Sequence, residues 1–160
     1  MRVFISLGTN LGEKEQNLRF AIQKIEERIG KVVSLSAFYA TAPWGFTSEN
    51  TFLNAALCVE TSLLPLEVLK ITQEIEREMG RAHKSANGIY SDRLIDIDLL
   101  LCFESDGSSV LLDTSELKLP HPLMQERRFV MEPLAEIAPD MIHPVLGKTM
   151  KELFTFSVRY

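Results

Sequence analysis

The sequence predicts an α+β fold: a ferredoxin-like βαββαβ sheet with helices packed on it, a C-terminal extension, and three α/β/α layers overall. Three observations carry this expectation. Short apolar segments with strand character alternate with two longer segments whose apolar residues recur at helical spacing. The segments run in the order strand, helix, strand, strand, helix, strand. Glycine and proline fall at the junctions. The 160 residues contain no internal repeat, low-complexity tract or linker, so 1–160 reads as a single domain.

Val3 to Leu7 is a compact apolar strand that runs into Gly8-Thr9-Asn10-Leu11-Gly12. This turn lacks the Lys-Ser/Thr pair of a Walker A loop. It reads either as a plain tight turn or as backbone open to a ligand. Glu13 to Ile29 places Leu18, Ala21, Ile22, Ile25 and Ile29 on one helical face, and Gly30 ends it. Val32 to Tyr39 is a second strand. The loop from Thr41 to Thr51 carries Trp44 and Phe46, which either cover a flat ligand or fold back onto the core.

Phe52 to Thr61 is a third strand with two distinct faces. Leu53, Ala55, Leu57 and Val59 form the apolar face expected to meet the helices. Phe52, Asn54, Ala56 and Cys58 form the other. An amide beside an aromatic ring can read the donor and acceptor edge of a heterocycle, or it can simply bond local backbone. Pro65 to Met79 is the second helix, with Val68, Leu69, Thr72, Ile75 and Met79 as its buried stripe. Glu76 lies near its C-terminal end, where the helix dipole disfavours an acid, so a cation or solvent should attend it. Arg81 to Asp92 is a long loop, and Arg81, His83, Lys84 and the following Arg93 make it basic.

The fourth strand, Arg93-Leu94-Ile95-Asp96-Ile97-Asp98-Leu99-Leu100-Leu101, has two carboxylates in an apolar run. Residues i and i+2 share a face, so Asp96 and Asp98 project side by side. Their mutual repulsion calls for a positive partner. A hard divalent cation such as Mg2+ meets that need through oxygen ligands. Salt bridges at an exposed strand end are the plainer reading. A basic loop beside such a pair has the makings of phosphoryl transfer, with a metal on one side of the phosphates and cations on the other.

Beyond this strand, Val110 to Leu112 and Leu117 to Leu119 read as a small hairpin or edge segment. Two prolines fix the backbone around His121, and Arg127 adds charge beside Phe129. Pro133 is expected to open a short helix through Ile137, and Met150 to Phe154 to form a closing one.

A net charge of −5 gives no global basic field for nucleic acid. No apolar run is long enough to span a membrane. Cys58 and Cys102 sit in strand-like segments, as buried thiols of a reducing compartment would. The expectation is a cytoplasmic, monomeric protein that acts on small molecules.

Taken in order, Gly8-Thr9-Asn10, Thr41-x-Pro43, Phe52-Leu53-Asn54-Ala55-Ala56, Gln73-x-x-Glu76, Gly80-Arg81 and Arg93-x-x-Asp96-Ile97-Asp98 form a distinctive set. Pro120-His121-Pro122, Arg127-x-Phe129 and Ile137-Ala138-Pro139 complete it. The set resembles the 6-hydroxymethyl-7,8-dihydropterin pyrophosphokinases of folate biosynthesis over nearly the whole chain. The resemblance implies transfer of diphosphate from ATP to the pterin hydroxymethyl group, with release of AMP. It implies that Asp96 and Asp98 hold two Mg2+ ions. Thr41, Pro43, Phe52, Asn54, Arg127 and Phe129 would bind the pterin, with the ring between Phe52 and Phe129. Gln73, Glu76, Arg81, Lys84, Arg93 and His121 would bind ATP. Arg81 and Arg93 would join the two aspartates as the catalytic set. The chain departs from the best-known pattern in a longer loop before Asp96, in His83 where an arginine often stands, and in Tyr90 where a tryptophan does. Two other readings stay open on the residues alone: another Mg2+-dependent phospho- or nucleotidyl transferase, and a non-catalytic ferredoxin-like ligand-binding domain.

Overall fold

The computed structural model describes residues 1–41, 51–80 and 94–157. The main sheet contains β1 (Arg2–Thr9), β2 (Lys31–Leu35), β3 (Tyr39–Thr41), β4 (Phe52–Glu60) and β5 (Asp96–Phe103). Its order is β2-β4-β1-β5, with β3 also pairing β4, and every pairing is antiparallel. This is the strand order of the expected ferredoxin-like sheet. Helices α1 (Lys14–Arg28) and α2 (Pro65–Gly80) cover one face. Helices α3 (Arg128–Ile137) and α4 (Met150–Phe156) pack on the other, so the C-terminal extension supplies the third layer.

Alternation along the strands divides the core in two. Val3, Ile5 and Leu7 of β1, and Ala55, Leu57 and Val59 of β4, meet Leu18, Ala21, Ile25, Val68 and Ile75. Phe4, Ala56 and Cys58 face the opposite way, onto Met124, Val130, Met131, Leu134 and Met150. The β4 faces are those expected from its sequence. Strand β5 contains an irregularity: Phe4 pairs with Leu101 and Ile5 with Leu99, leaving Leu100 as an extra residue. This bulge turns both Leu100 and Leu101 toward the second core, while Leu99 and Cys102 face the first.

Three elements differ from the sequence expectation, the first being β1, which continues as a paired strand through Gly8 and Thr9 where a turn was expected. The single strand expected from Val32 to Tyr39 is split between β2 and β3. At the break, the Ser36 hydroxyl accepts the Ala56 N–H at 2.9 Å and donates to the Ala37 carbonyl at 2.7 Å. The Ala37 N–H leaves the ladder and donates to the Glu136 carboxylate of α3. The Ser36 N–H still donates to the Ala56 carbonyl at 2.9 Å, and side-chain bonds supplement the backbone pairing where the chain shifts direction. Helix α3 begins at Arg128, well before Pro133, which lies inside it. The buried Val130, Met131 and Leu134 hold this helix onto the sheet, and their burial outweighs the poor fit of an internal proline.

The small strands β6 (Leu112–Asp113) and β7 (Lys118–Leu119) form the expected hairpin, which packs beside β5. Both cysteines are free and buried, and burial raises their thiols to about 11 for Cys58 and about 12 for Cys102. Among the described residues, no helix is long and apolar enough to cross a membrane.

Candidate active site

Three strands bring the predicted residues to one end of the sheet. Gly8 of β1 is paired with Asn54 of β4 on one side and with Asp96 of β5 on the other. One step inward, Ser6 is paired with Ala56 and Asp98. All of these residues share the sheet face that carries α3. Two strand spacings put Asn54 and Asp96 roughly 10 Å apart across Gly8.

Asn54 is 2% exposed, and its Nδ2 donates to Thr41 Oγ1 at 2.6 Å. Thr41 is paired with Phe52, so β3 fixes both the ring and the amide. The bond to Thr41 uses one N–H of the amide and leaves Oδ1 directed over Gly8. Asn54 therefore bonds a side chain of a neighbouring strand and not local backbone, the plainer of the two readings its sequence allows.

Asp96 and Asp98 are half-buried on the outermost strand of the main path. Between them, the Ile97 N–H points off the sheet edge and donates to Glu76 Oε2 of α2 at 2.8 Å. Glu76 thus has a backbone N–H partner, where the sequence led us to expect a cation or solvent. Burial and the charges of Asp96 and Asp98 push its carboxyl well above the usual carboxylate range, against the Ile97 N–H, which favours the charged form. Three carboxyl groups therefore crowd one strand edge, and a divalent cation would relieve that repulsion. Asp96 and Asp98 offer hard oxygen donors on one face and fit Mg2+. Among the described residues, no group of three or more His, Cys, Asp or Glu side chains forms a closed cage. An open pair of this kind leaves coordination positions for phosphate and water.

His121 follows the cis Leu119–Pro120 peptide and continues along the β5 edge, its N–H donating to the Leu100 carbonyl at 2.8 Å. Its Nδ1 accepts the Leu123 N–H at 3.1 Å, so the neutral ring carries its proton on Nε2. Burial, and then the charge of Arg127, lower it to about 4. The folded state thus resists protonating a ring that the unfolded chain protonates near 6.5. The His121 contribution to stability is complete above about 6.5 and is lost as pH falls toward 4. His121→Gln is expected to flatten that part of the stability–pH profile, which urea titrations at stepped pH would measure. An unchanged slope would refute it.

A cavity of about 280 Å3 lies beside this edge, lined by Leu69, Ile97, Asp98, Leu117 and His121 among others. A larger groove of about 1130 Å3 opens at the opposite end of the sheet, over Phe4, Cys58 and Phe103. Size favours the groove, but the carboxylates and the oriented amide lie at the other end, and chemistry decides. Arg127 and Phe129 stand at the start of α3, with the guanidinium carbon 5.8 Å from the ring centroid. Gln73 is exposed on α2. Pro43, Arg81, Lys84 and Arg93, together with Trp44, Phe46, His83 and Tyr90, lie outside the described residues. The sequence reading put Gly8 in a turn, plain or open to a ligand, whereas it is paired within β1, and its relation to Asn54 was not foreseen. The available signal was parity, since Gly8 continues the Phe4 and Ser6 face.

A family model described as 7,8-dihydro-6-hydroxymethylpterin-pyrophosphokinase matches residues 4–139. A 2-amino-4-hydroxy-6-hydroxymethyldihydropteridine pyrophosphokinase of Porphyromonas gingivalis is 46% identical over 142 residues, covering 89% of this chain and 93% of that protein. One of the same name from Aquifex aeolicus is 38% identical over 150 residues, covering 94% of this chain and 88% of its own length. Among solved structures, the wild-type HPPK-DHPS of Plasmodium falciparum superposes with a TM-score of 0.71 at 16% identity, over 96% of this chain. That likeness concerns the fold alone, and the chain spans 44% of the length of the Plasmodium protein.

Proposed function

Because the chain belongs to the 7,8-dihydro-6-hydroxymethylpterin-pyrophosphokinase family, we propose that it transfers diphosphate from ATP to the hydroxymethyl group of 6-hydroxymethyl-7,8-dihydropterin in folate biosynthesis. The observation that carries this reading is the row Asn54–Gly8–Asp96, which sets an amide that can read a heterocycle two strands from a carboxylate pair. The two free, buried thiols suit a cytosolic enzyme.

Asp96 and Asp98 would hold two Mg2+ ions, which when bound neutralise phosphate oxygens and favour in-line displacement. The substrate hydroxyl attacks the β-phosphorus of ATP. A new oxygen–phosphorus bond forms, the bridge to the α-phosphorus breaks, and AMP leaves while the hydroxyl proton passes to solvent. Asn54 Oδ1 accepts from the ring edge of the pterin, with Thr41 fixing the amide that presents it. Phe52 and Phe129 stack on the ring, and Arg127 adds charge beside it. His121 lines the cavity next to Asp98 with an Nε2–H to donate to the nucleotide, and Gln73 and Glu76 of α2 are assigned to the nucleotide. Arg81, Lys84 and Arg93 are assigned to the phosphates. No general base is needed where positioning and charge stabilisation supply the rate.

Product analysis tests the proposal. Incubation with ATP, Mg2+ and hydroxymethyl-dihydropterin is expected to yield AMP and the pterin diphosphate in equal amounts. ADP would indicate an ordinary kinase, and free diphosphate a nucleotidyl transferase. Either result would replace the proposal, as would failure to form any product.

A further inference from the structure

We propose that Gly8 is a positioning residue for substrate recognition: its missing side chain is the space in which the Asn54 carboxamide lies. This inference rests on the pterin reading above. A Cβ built on Gly8 would stand 2.9 Å from Asn54 Oδ1 and 3.6 Å from Phe52 Cδ1. The first distance is closer than a real Cβ comes to a heavy atom, so the amide must move. It has little room to do so, because Asn54 is 2% exposed and its Nδ2 is held by Thr41 Oγ1. Any side chain at position 8 therefore acts on the substrate through Asn54, by breaking the bond to Thr41 or by turning Oδ1 off its line.

The backbone gives no reason of its own for glycine here. Positive φ angles occur at Gly12, Gly107 and Gly147, and Gly8 is not among them. Glycine inside a strand weakens it, and its usual meaning there is a close approach by something else. Gly30 supplies the contrast. A Cβ there would meet the Glu60 carbonyl oxygen at 1.9 Å, so that glycine serves the packing of backbone on backbone. At Gly8 the nearest obstacle is a side chain that the proposed reaction uses.

The test compares Gly8→Ala, Asn54→Ala and the double variant with the wild-type chain. Hydroxymethyl-dihydropterin binding is measured by calorimetry with a non-hydrolysable ATP analogue, alongside binding of the analogue itself, steady-state kinetics and thermal unfolding. Gly8→Ala is expected to weaken pterin binding about tenfold or more, in line with losing a hydrogen bond to a buried group. KM for the pterin rises while kcat at saturation and affinity for the ATP analogue hold, and the melting temperature falls only modestly, as the strained Asn54–Thr41 bond requires. The double variant binds pterin no more weakly than Asn54→Ala, because the atom that the new methyl displaces is already gone. Wild-type affinity in Gly8→Ala, a further loss in the double variant, or a collapse in melting temperature would each overturn the role of Gly8. Absence of pterin binding by the wild-type chain would remove the functional reading itself, and this inference with it.

Discussion

Replacing Asp96 with alanine is expected to lower Mg2+-dependent AMP formation by about a thousandfold or more, the scale of several kcal/mol of lost charge stabilisation. The same substitution should leave the stability of the protein nearly unchanged. Asp96 is half-buried beside Asp98 and Glu76, and its charge helps to drive the Glu76 carboxyl upward. Removing it relieves like-charge repulsion but also takes away a side-chain hydrogen bond to Glu76, and these two effects oppose each other, while the strand pairing of residue 96 with Gly8 is a backbone matter that alanine preserves. A large loss of activity at little cost in stability marks a group kept for function. Paired measurements of AMP formation and urea unfolding check both. Near-normal turnover would remove the metal role, and a marked loss of stability would make Asp96 a structural residue.

Leu57→Ala is expected to cost about 3 kcal/mol of stability, within the range for emptying a buried leucine site. Leu57 is fully buried in the middle of β4, paired with Ile5 on one side and Leu35 on the other, on the face that meets α1 and α2. The strands around it are held by ladder bonds on both sides, so the surroundings have little freedom to collapse into the void. A loss of that size is a large fraction of the stability of an ordinary domain. Urea titration should show a lower midpoint with an unchanged slope. A change below about 1 kcal/mol would mean that the core relaxes around the gap.

The two cases differ in how readable they were beforehand. Leu57 belongs to an alternating strand, and alternation assigns a face without knowledge of any partner. Asp96 and Asp98 stood out because carboxylates are rare in an apolar strand, and their shared face follows from parity alone. Asn54 was singled out for the same kind of reason, as a polar group beside Phe52. What escaped the sequence depends on partners far along the chain. The break at Ser36 exists because the Ala56 N–H is there to donate to the Ser36 hydroxyl and the Glu136 carboxylate to accept the Ala37 N–H. The partner of Glu76 is a backbone N–H that is free only because β5 lies at the sheet edge, and strand order is not written in any local pattern. Pro133 looked like a helix start because proline suits that position, yet the helix is set by apolar residues before it. Gly8 stood in a recognised motif, but its contribution is a volume left empty, which only the neighbouring strand reveals.

The bulge at Leu100 has a consequence for how this strand tolerates changes in length. Inserting or deleting a residue within a regular strand inverts every side chain beyond the change. In β5 such an event would turn either the aspartates or the hydrophobic end to the wrong side. Leu100 is the exception, because it is the unpaired residue between Leu99 and Leu101. Its deletion would restore a regular ladder with Asp96 and Asp98 still facing α3 and Cys102 still facing the first core. Natural relatives that differ by one residue between the aspartates and the end of this strand should carry the gap at this point.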